Sequence, residues 1–271
     1  LTRYYIFLFA ILVSFWTKAQ SSAEGGRAAA LSGAAVTLED SWSAFHNQAG
    51  LANIKGFTAG AFFQNRFLIK ELGDRGVFAA TKVRNSTFAF SYQSFGYSAF
   101  NQSRVGIAYA MPLSESFSVG LQMNYHSLRI AEGYGISRSF SAEGGFLYKL
   151  NKNLHIAGHI ENINRARLSE FNDERMPSVL TLGAHYIFSE KVKLICQARQ
   201  ITDQRINIIG AIEYDIAESI VVRAAGGANP TATSFGFGWK NKFLRADIAA
   251  SYNSILGFSP QLSLTYSGAG F

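Results

Sequence analysis

"SFSVGLQMNYHSL", residues 116–128, decides the fold. Phe117, Val119, Leu121, Met123 and Tyr125 fall on one face; Ser118, Gly120, Gln122, Asn124 and His126 fall on the other. Side chains of an extended chain alternate between faces, so this stretch reads as a strand with one apolar and one polar side. A helix would instead repeat its apolar residues at three- and four-residue spacing.

The same alternation runs outward in both directions. "TFAFSYQS" puts Phe88, Phe90 and Tyr92 on one face, and "SRVGIAYAM" does so with Val105, Ile107, Tyr109 and Met111. "SFSAEGGFLYKL" sets Phe140, Phe146 and Tyr148 against Glu143 and Gly145. "LHIAGHIEN" sets Leu154, Ile156 and Ile160 against His155, His159 and Glu161. "TLGAHYIF", "VKLICQAR", "INIIGAIEY", "SIVVRAA", "SFGFGWK", "FLRADIAASY" and "QLSLTY" continue it to the end. Tight polar connections, such as those at 84–86, 112–116 and 150–153, alternate with mostly longer ones, such as those at 68–74, 96–102, 130–137 and 163–177. The count is about fourteen strands, an even number of the kind found in bacterial outer-membrane barrels.

The apolar face carries rings near strand ends: Tyr109, Tyr125, Tyr148, Tyr186, Phe188, Tyr214, Trp239, Tyr252 and Tyr266. Such rings form the interfacial girdle of a membrane barrel. The polar face is rich in Gly, Ser and Ala, as a crowded interior requires. In lipid every backbone donor and acceptor must be paired, and a closed antiparallel up-and-down barrel achieves that without an edge. The alternation alone leaves a soluble all-β sandwich open, because it does not say which face meets lipid. With both termini in the periplasm, the tight turns are expected there and the longer loops outside.

Composition agrees with an exported membrane protein. Charged residues make up 16% of the 271, against about 25% in soluble proteins. The single cysteine, Cys196, allows no internal disulfide. The net charge of +7 suits anionic lipid or solvated turns better than nucleic acid, given an export signal. That signal is "LTRYYIFLFAILVSFWTKAQ": Arg3, an apolar run of about 13 residues, then small residues at Thr17 and Ala19. The run is short of the ~20 residues that span a bilayer. The expected organisation is a signal peptide at 1–19, with no lipoprotein cysteine after it, an N-terminal segment at 20–52 and a barrel at 53–271.

The N-terminal segment, "GGRAAALSGAAVTLEDSWSAFHNQAGLA" (25–52), is small-sided and fits a lumen where bulky residues would not. Ala28 to Ala35 reads as a short helix weakened by Gly33, and Asp40 or Ser41 as the cap of a turn through Trp42, Ala44 and Phe45. It is expected to be a plug across the periplasmic half of the pore, with a loose periplasmic tail as the alternative. The plug residues singled out are Gly25, Gly26, Arg27, Gly33, Glu39, Asp40, Trp42, Phe45, Asn47, Gly50 and Leu51. Its acids, Glu39 and Asp40, are expected to meet inward bases such as Arg223 or Arg245, since unpaired charge in a narrow interior is costly.

This segment resembles the N-terminal signature of the FadL-type outer-membrane family: small residues, Gly-Ala, an acidic pair, an aromatic, then Asn-Pro-Ala-Gly-Leu. Here Gln48 replaces the proline within Asn47, Ala49, Gly50 and Leu51. The C-terminal "VVRAAGGANPTATSFGFGWKNKFLRADIAASYNSILGFSPQLSLTYS" (221–267) resembles the PorV/PorQ branch of Bacteroidota. The resemblance implies a fourteen-stranded barrel in the outer membrane of a Gram-negative, Bacteroidota-like cell, with an N-terminal segment in the lumen. It also implies either transport of long-chain fatty acids and other hydrophobic compounds, or service in type IX secretion and surface attachment.

Inward charged and polar positions are numerous: Lys82, Arg104, Gln122, Asn124, His126, Glu143, His159, Glu161, His185, Lys193, Arg199, Glu213, Arg223, Arg245 and Asp247. Mixed signs favour a web of ion pairs over a selective pore, which shows rings of one sign. His155, His159, Glu161 and His185 share the inward face, but strand spacing keeps His155 and His159 from sharing an ion easily. Glycine pairs in "EGGFLYK" and "GFGWK" precede no phosphate-binding helix. No catalytic, metal or cofactor site is expected, and the protein reads as a non-enzyme. The partners in view are outer-membrane lipid, secretion or assembly subunits, and hydrophobic small molecules. The outer loop "INRARLSEFNDERMP" is polar, a poor start for an apolar capture pocket, which favours the subunit reading over the transporter.

Overall fold

A computed structural model of the chain describes residues 24–131, 135–167 and 175–271. The expected signal peptide, residues 20–23 of the N-terminal segment, and the middles of two loops, 132–134 and 168–174, lie outside the described residues.

Fourteen strands close into one antiparallel barrel in which each strand pairs with its sequence neighbours and the last returns to the first. They are β1 (Phe57–Asn65), β2 (Gly73–Val83), β3 (Ser86–Gly96), β4 (Phe100–Pro112), β5 (Phe117–Ile130), β6 (Gly135–Lys149) and β7 (Leu154–Glu161). The second half comprises β8 (Val179–Ser189), β9 (Val192–Ile201), β10 (Asn207–Ala217), β11 (Ile220–Ala228), β12 (Ala232–Lys240), β13 (Leu244–Asn253) and β14 (Gly257–Ser267). Closure comes from β1 on β14, with Ala61 opposite Leu264.

The turns have local causes. β2 and β3 are joined by the two residues Arg84-Asn85, with Arg84 at φ 56, as two-residue hairpins require. Asn151 and Asn241 each accept two backbone N–H groups just ahead, at 2.8–2.9 Å, and so form the turn from the side chain. Register then fixes which face is which, because a one-residue slip would invert every side chain. Bulges interrupt it between Ile187 and Ser189 and between Asp215 and Ala217, both next to tight turns.

The outer wall is the apolar face. Ile107, Leu121 and Met123 are 64–68% exposed, and Tyr186, Tyr214, Trp239 and Tyr266 stand out with them. A continuous apolar wall on every strand far exceeds the few hundred Å² that a soluble monomer exposes, so it belongs against hydrocarbon. Among the described residues no helix is long and apolar enough to cross a membrane, and crossing falls to the strands. The inner wall is polar: Glu143, His185, Arg223 and Asp247 are buried.

Strands are 8 to 15 residues long rather than uniformly about ten. β5 and β6 are the longest, so the connection expected over 130–137 shrinks to the residues between Ile130 and Gly135. The connection expected over 96–102 shrinks to the residues between Gly96 and Phe100.

Candidate functional site

The interior of the barrel is filled from the N-terminus. A short helix, α1 (Gly26–Ala30), opens the segment. It ends earlier than the expected Ala28–Ala35, because Gly33, at φ 86, turns its N–H back onto the Ala28 carbonyl at 2.8 Å. Two 3-10 turns follow, Ser41–Ala44 and Gln48–Asn53. Asp40 caps the first by accepting the Trp42 N–H at 3.0 Å, and Asn47 caps the second through the Ala49 N–H at 3.2 Å.

Small side chains let this segment lie on the inner wall. α1 packs against β12 and β13, and Ala29 and Ala30 bury against Ala249. Ala28, Leu31, Ala34, Ala35 and Leu38 bury against Ile195, Ile209 and Ala225. Val36 and Ala49 meet Leu147 and Ala157. Gly25 sits at φ 89 against the Trp42 ring, where any side chain would collide. On the wall side, a Cβ on Gly120 would run into the Gln48 backbone, so the close approach needs glycine there.

Trp42 is the apolar centre. Its ring lies 4.8 Å from that of Phe78 and 6.0 Å from those of Phe45 and Phe62, and its Nε1 donates to Thr265 at 2.9 Å. Phe62 and Phe78 face inward from β1 and β2, against the rule that the inner face is polar. The alternation gives no warning of these two; only a large apolar plug residue explains them.

Charge ties the plug to the wall. Arg27 donates to both Glu213 oxygens, at 2.8 and 2.5 Å, and to Asp40 at 2.8 Å. Arg223 donates to Glu213 at 2.6 Å and to Asp247 at 2.8 Å, and Arg245 completes the chain on Asp247 at 2.9 Å. Lys193 stands 4.0 Å from Glu213. The expectation that the plug acids seek Arg223 or Arg245 is therefore corrected. Asp40 binds Arg27 of its own segment, while the wall bases bind wall acids. Glu39 goes elsewhere, to Lys149 at 2.7 Å and His155 at 2.9 Å. Lys149 is a strand-end residue that the sequence reading passed over.

Burial raises the Asp40 carboxyl, but Arg27 and the field of Arg245 outweigh it and hold the group below its ordinary value. Burial likewise opposes Glu39, and the Lys149 ammonium wins and lowers it.

A second cluster lies across the lumen. Glu143 accepts from Gln122 at 2.8 Å and Asn124 at 2.7 Å, with His159 at 3.5 Å. Gln48 meets His159 at 3.2 Å, and Asn47 donates to the carbonyls of Val36 and Phe146 at 2.8 and 3.0 Å. His126 pairs with Ser141 at 2.8 Å and Arg199 with Glu161 at 3.4 Å. Arg104 lies 3.7 Å from Glu24 and over the Phe45 ring. Lys82 reaches the Ala52 carbonyl only at 3.5 Å. Gly50 abuts Leu38 and Ser43 within the plug, and Leu51 is fully buried. The four inward residues considered for metal do not converge. The rings of His155 and His185 lie 4.5 Å apart at a tilt of 48°, while His159 and Glu161 have other partners.

Towards the longer loops a further polar cluster links β14, β1, β2 and β3. Buried Asp74 takes Arg66 at 2.8 Å and Gln93 at 3.1 Å, and the Phe67 N–H reaches across to Ser259 at 3.0 Å. Asp74 has the inward parity of β2, so its direction was legible, but its partner Arg66 lies beyond the strand, where parity says nothing.

No family model matches the chain, and no curated protein matches it. Solved structures do. The CymD monoaromatic hydrocarbon channel superposes with a TM-score of 0.71 at 12% identity, covering 90% of this chain and 97% of that one. The Pseudomonas putida toluene transporter TodX gives 0.68 at 12%, covering 93% and 99%. A Pseudomonas aeruginosa FadL homologue gives 0.64 at 11%, covering 91% and 99%. At such identities the likeness is one of fold, and the fold is the FadL-type closed barrel of fourteen strands.

Proposed function

We propose that the protein is a non-enzymatic outer-membrane barrel that passes hydrophobic small molecules, held shut at rest by its N-terminal plug. The observation that carries this reading is the likeness over nine-tenths of the chain to a monoaromatic hydrocarbon channel and a toluene transporter. The reading reverses the preference drawn from the polar outer loop. It takes 20–52 as a hatch, 53–271 as the conducting wall, and the short-turn end as periplasmic. The aromatic nest of Trp42, Phe45, Phe62 and Phe78 supports it, being an apolar surface shared by hatch and wall.

A second reading has its own support. Elsewhere the contact between plug and wall combines small apolar clusters with ion pairs and amide contacts, and those polar groups are a poor lining for an apolar passenger. A barrel shut in this way suits a PorV/PorQ-like subunit of a type IX secretion or attachment complex in a Bacteroidota-like cell. Saturable binding of toluene or oleate by the detergent-purified full chain, read by calorimetry, separates the two. The channel reading expects roughly stoichiometric uptake of one of these probes. No saturable uptake of either, with a stoichiometric complex recovered in gentle detergent, would move the assignment to the subunit.

A further inference from the structure

Where the outer wall leaves its apolar band at the longer-loop end, β5 and β6 carry a cluster of cations. Tyr125 and Phe140 stand opposite each other on the lipid-facing side, ring centroids 5.2 Å apart, as part of the aromatic girdle. The next outward pair is Ser127 with Arg138, and the one after is Arg129 with Ile136. Arg129 and Arg138 are therefore diagonal neighbours on one face, roughly 7–8 Å apart and within reach of long side chains. Both are exposed.

A third arginine joins them. Beyond β7 the chain stays against β6: Asn164 donates to the Phe140 carbonyl at 2.9 Å and accepts the Ala142 N–H at 3.0 Å. Arg165, next in sequence and also exposed, is thereby held at the same end of the same strand. Among the described residues none of these three arginines has a carboxylate partner. The arginines of the lumen do: Arg27, Arg199, Arg223 and Arg245 are each paired.

Three guanidinium groups gathered at one end of neighbouring strands repel one another unless an anion is shared among them. Their height says which anion. They begin two residues above the ring pair, and at roughly 3.3 Å per residue they reach the headgroup layer just outside the hydrocarbon. Guanidinium forks match phosphate oxygens in a bidentate manner. We propose that Arg129, Arg138 and Arg165 form a clamp for the phosphate of an anionic glycolipid in the leaflet that the longer loops face. The clamp depends on the barrel's seat in a bilayer and not on what crosses the lumen, so it goes beyond the channel reading.

The test uses the full chain in detergent, with diphosphorylated lipid A as probe and bound lipid counted by native mass spectrometry. The triple variant Arg129→Gln, Arg138→Gln, Arg165→Gln should bind at least tenfold more weakly while keeping the heat-modifiable mobility of a folded barrel. Dephosphorylated lipid A should show the same loss on the unaltered protein. Lys152→Gln, Lys191→Gln, Lys242→Gln removes equal charge from exposed sites at the short-turn end and should leave binding unchanged. Unchanged binding in the arginine variant, equal binding of dephosphorylated lipid, or an equal loss in the lysine variant would each overturn the clamp.

Discussion

Arg27 has one guanidinium and three short contacts, two to Glu213 on the wall and one to Asp40 in its own segment. Breaking a buried pair by removing one partner leaves the other charge stranded, typically at ~3–5 kcal/mol. Arg27→Met is expected to loosen the plug by about that amount, read as faster proteolysis between residues 24 and 54 with the barrel intact. Arg27→Lys should recover less than half, because an ammonium cannot span the carboxylate fork. The two plug acids set a pH dependence. Asp40 and Glu39 are both held below their ordinary values in the folded state, so their contribution is full above the unfolded values and fades as pH falls through the folded ones. Plug protection should be flat from pH 8 to 6 and decline below about pH 4. A loss already complete by pH 6 would overturn the assignment to these two carboxylates.

At the scale of the strand, alternation told nearly everything about the wall. Each ring expected on the outer face is there, because period two is a property of the extended chain and needs no knowledge of its neighbours. What alternation could not tell is where a strand stops. β5 and β6 outrun their expected ends because pairing across the hairpin, through Ile130 opposite Gly135, holds them extended past the point where the apolar-out, polar-in pattern gives way to outward Ser127, Arg129 and Arg138. Nor could it tell why Phe62, Phe78 and Leu147 are apolar on an otherwise polar inner face, since that depends on plug residues distant in sequence. The same limit explains the misplaced ion pairs: charge complementarity requires that Asp40 and Glu39 be neutralised, but only the path of the plug chooses Arg27 and Lys149. For the wall itself, Ile107→Arg, outward and near mid-strand, should cost ~2–4 kcal/mol of barrel stability, and Leu113→Arg, exposed at a tight turn, ~0–1. Urea titration in lipid vesicles checks this, and equal losses would mean that the hydrocarbon band is misplaced along the strands.

The whole molecule is a closed wall around an N-terminal insert, and on β10 to β13 the wall acids have wall bases of their own. Glu213 and Asp247 are paired by Arg223 and Arg245, two acids with two bases, before the plug contributes anything. Removing the plug therefore strands little charge on β10 to β13. It does expose Phe62, Phe78, Ile195 and Ile209 to luminal water, a cost that a fourteen-strand hydrogen-bonded ring can carry. Deletion of residues 24–47 should consequently leave a folded, heat-modifiable barrel whose lumen is open over the half nearest the short turns. Among the described residues the Arg66–Asp74–Gln93 cluster at the other mouth is built from strand and loop residues and survives the deletion. In planar bilayers the intact protein is expected to conduct ions poorly and the deletion variant clearly more. Adding Asp74→Ala to the deletion should raise conductance again, because it frees Arg66 from its anchor at the mouth. A deletion that changes nothing, while Asp74→Ala alone opens the pore, would put the gate at the long-loop end and reduce the N-terminal segment to packing.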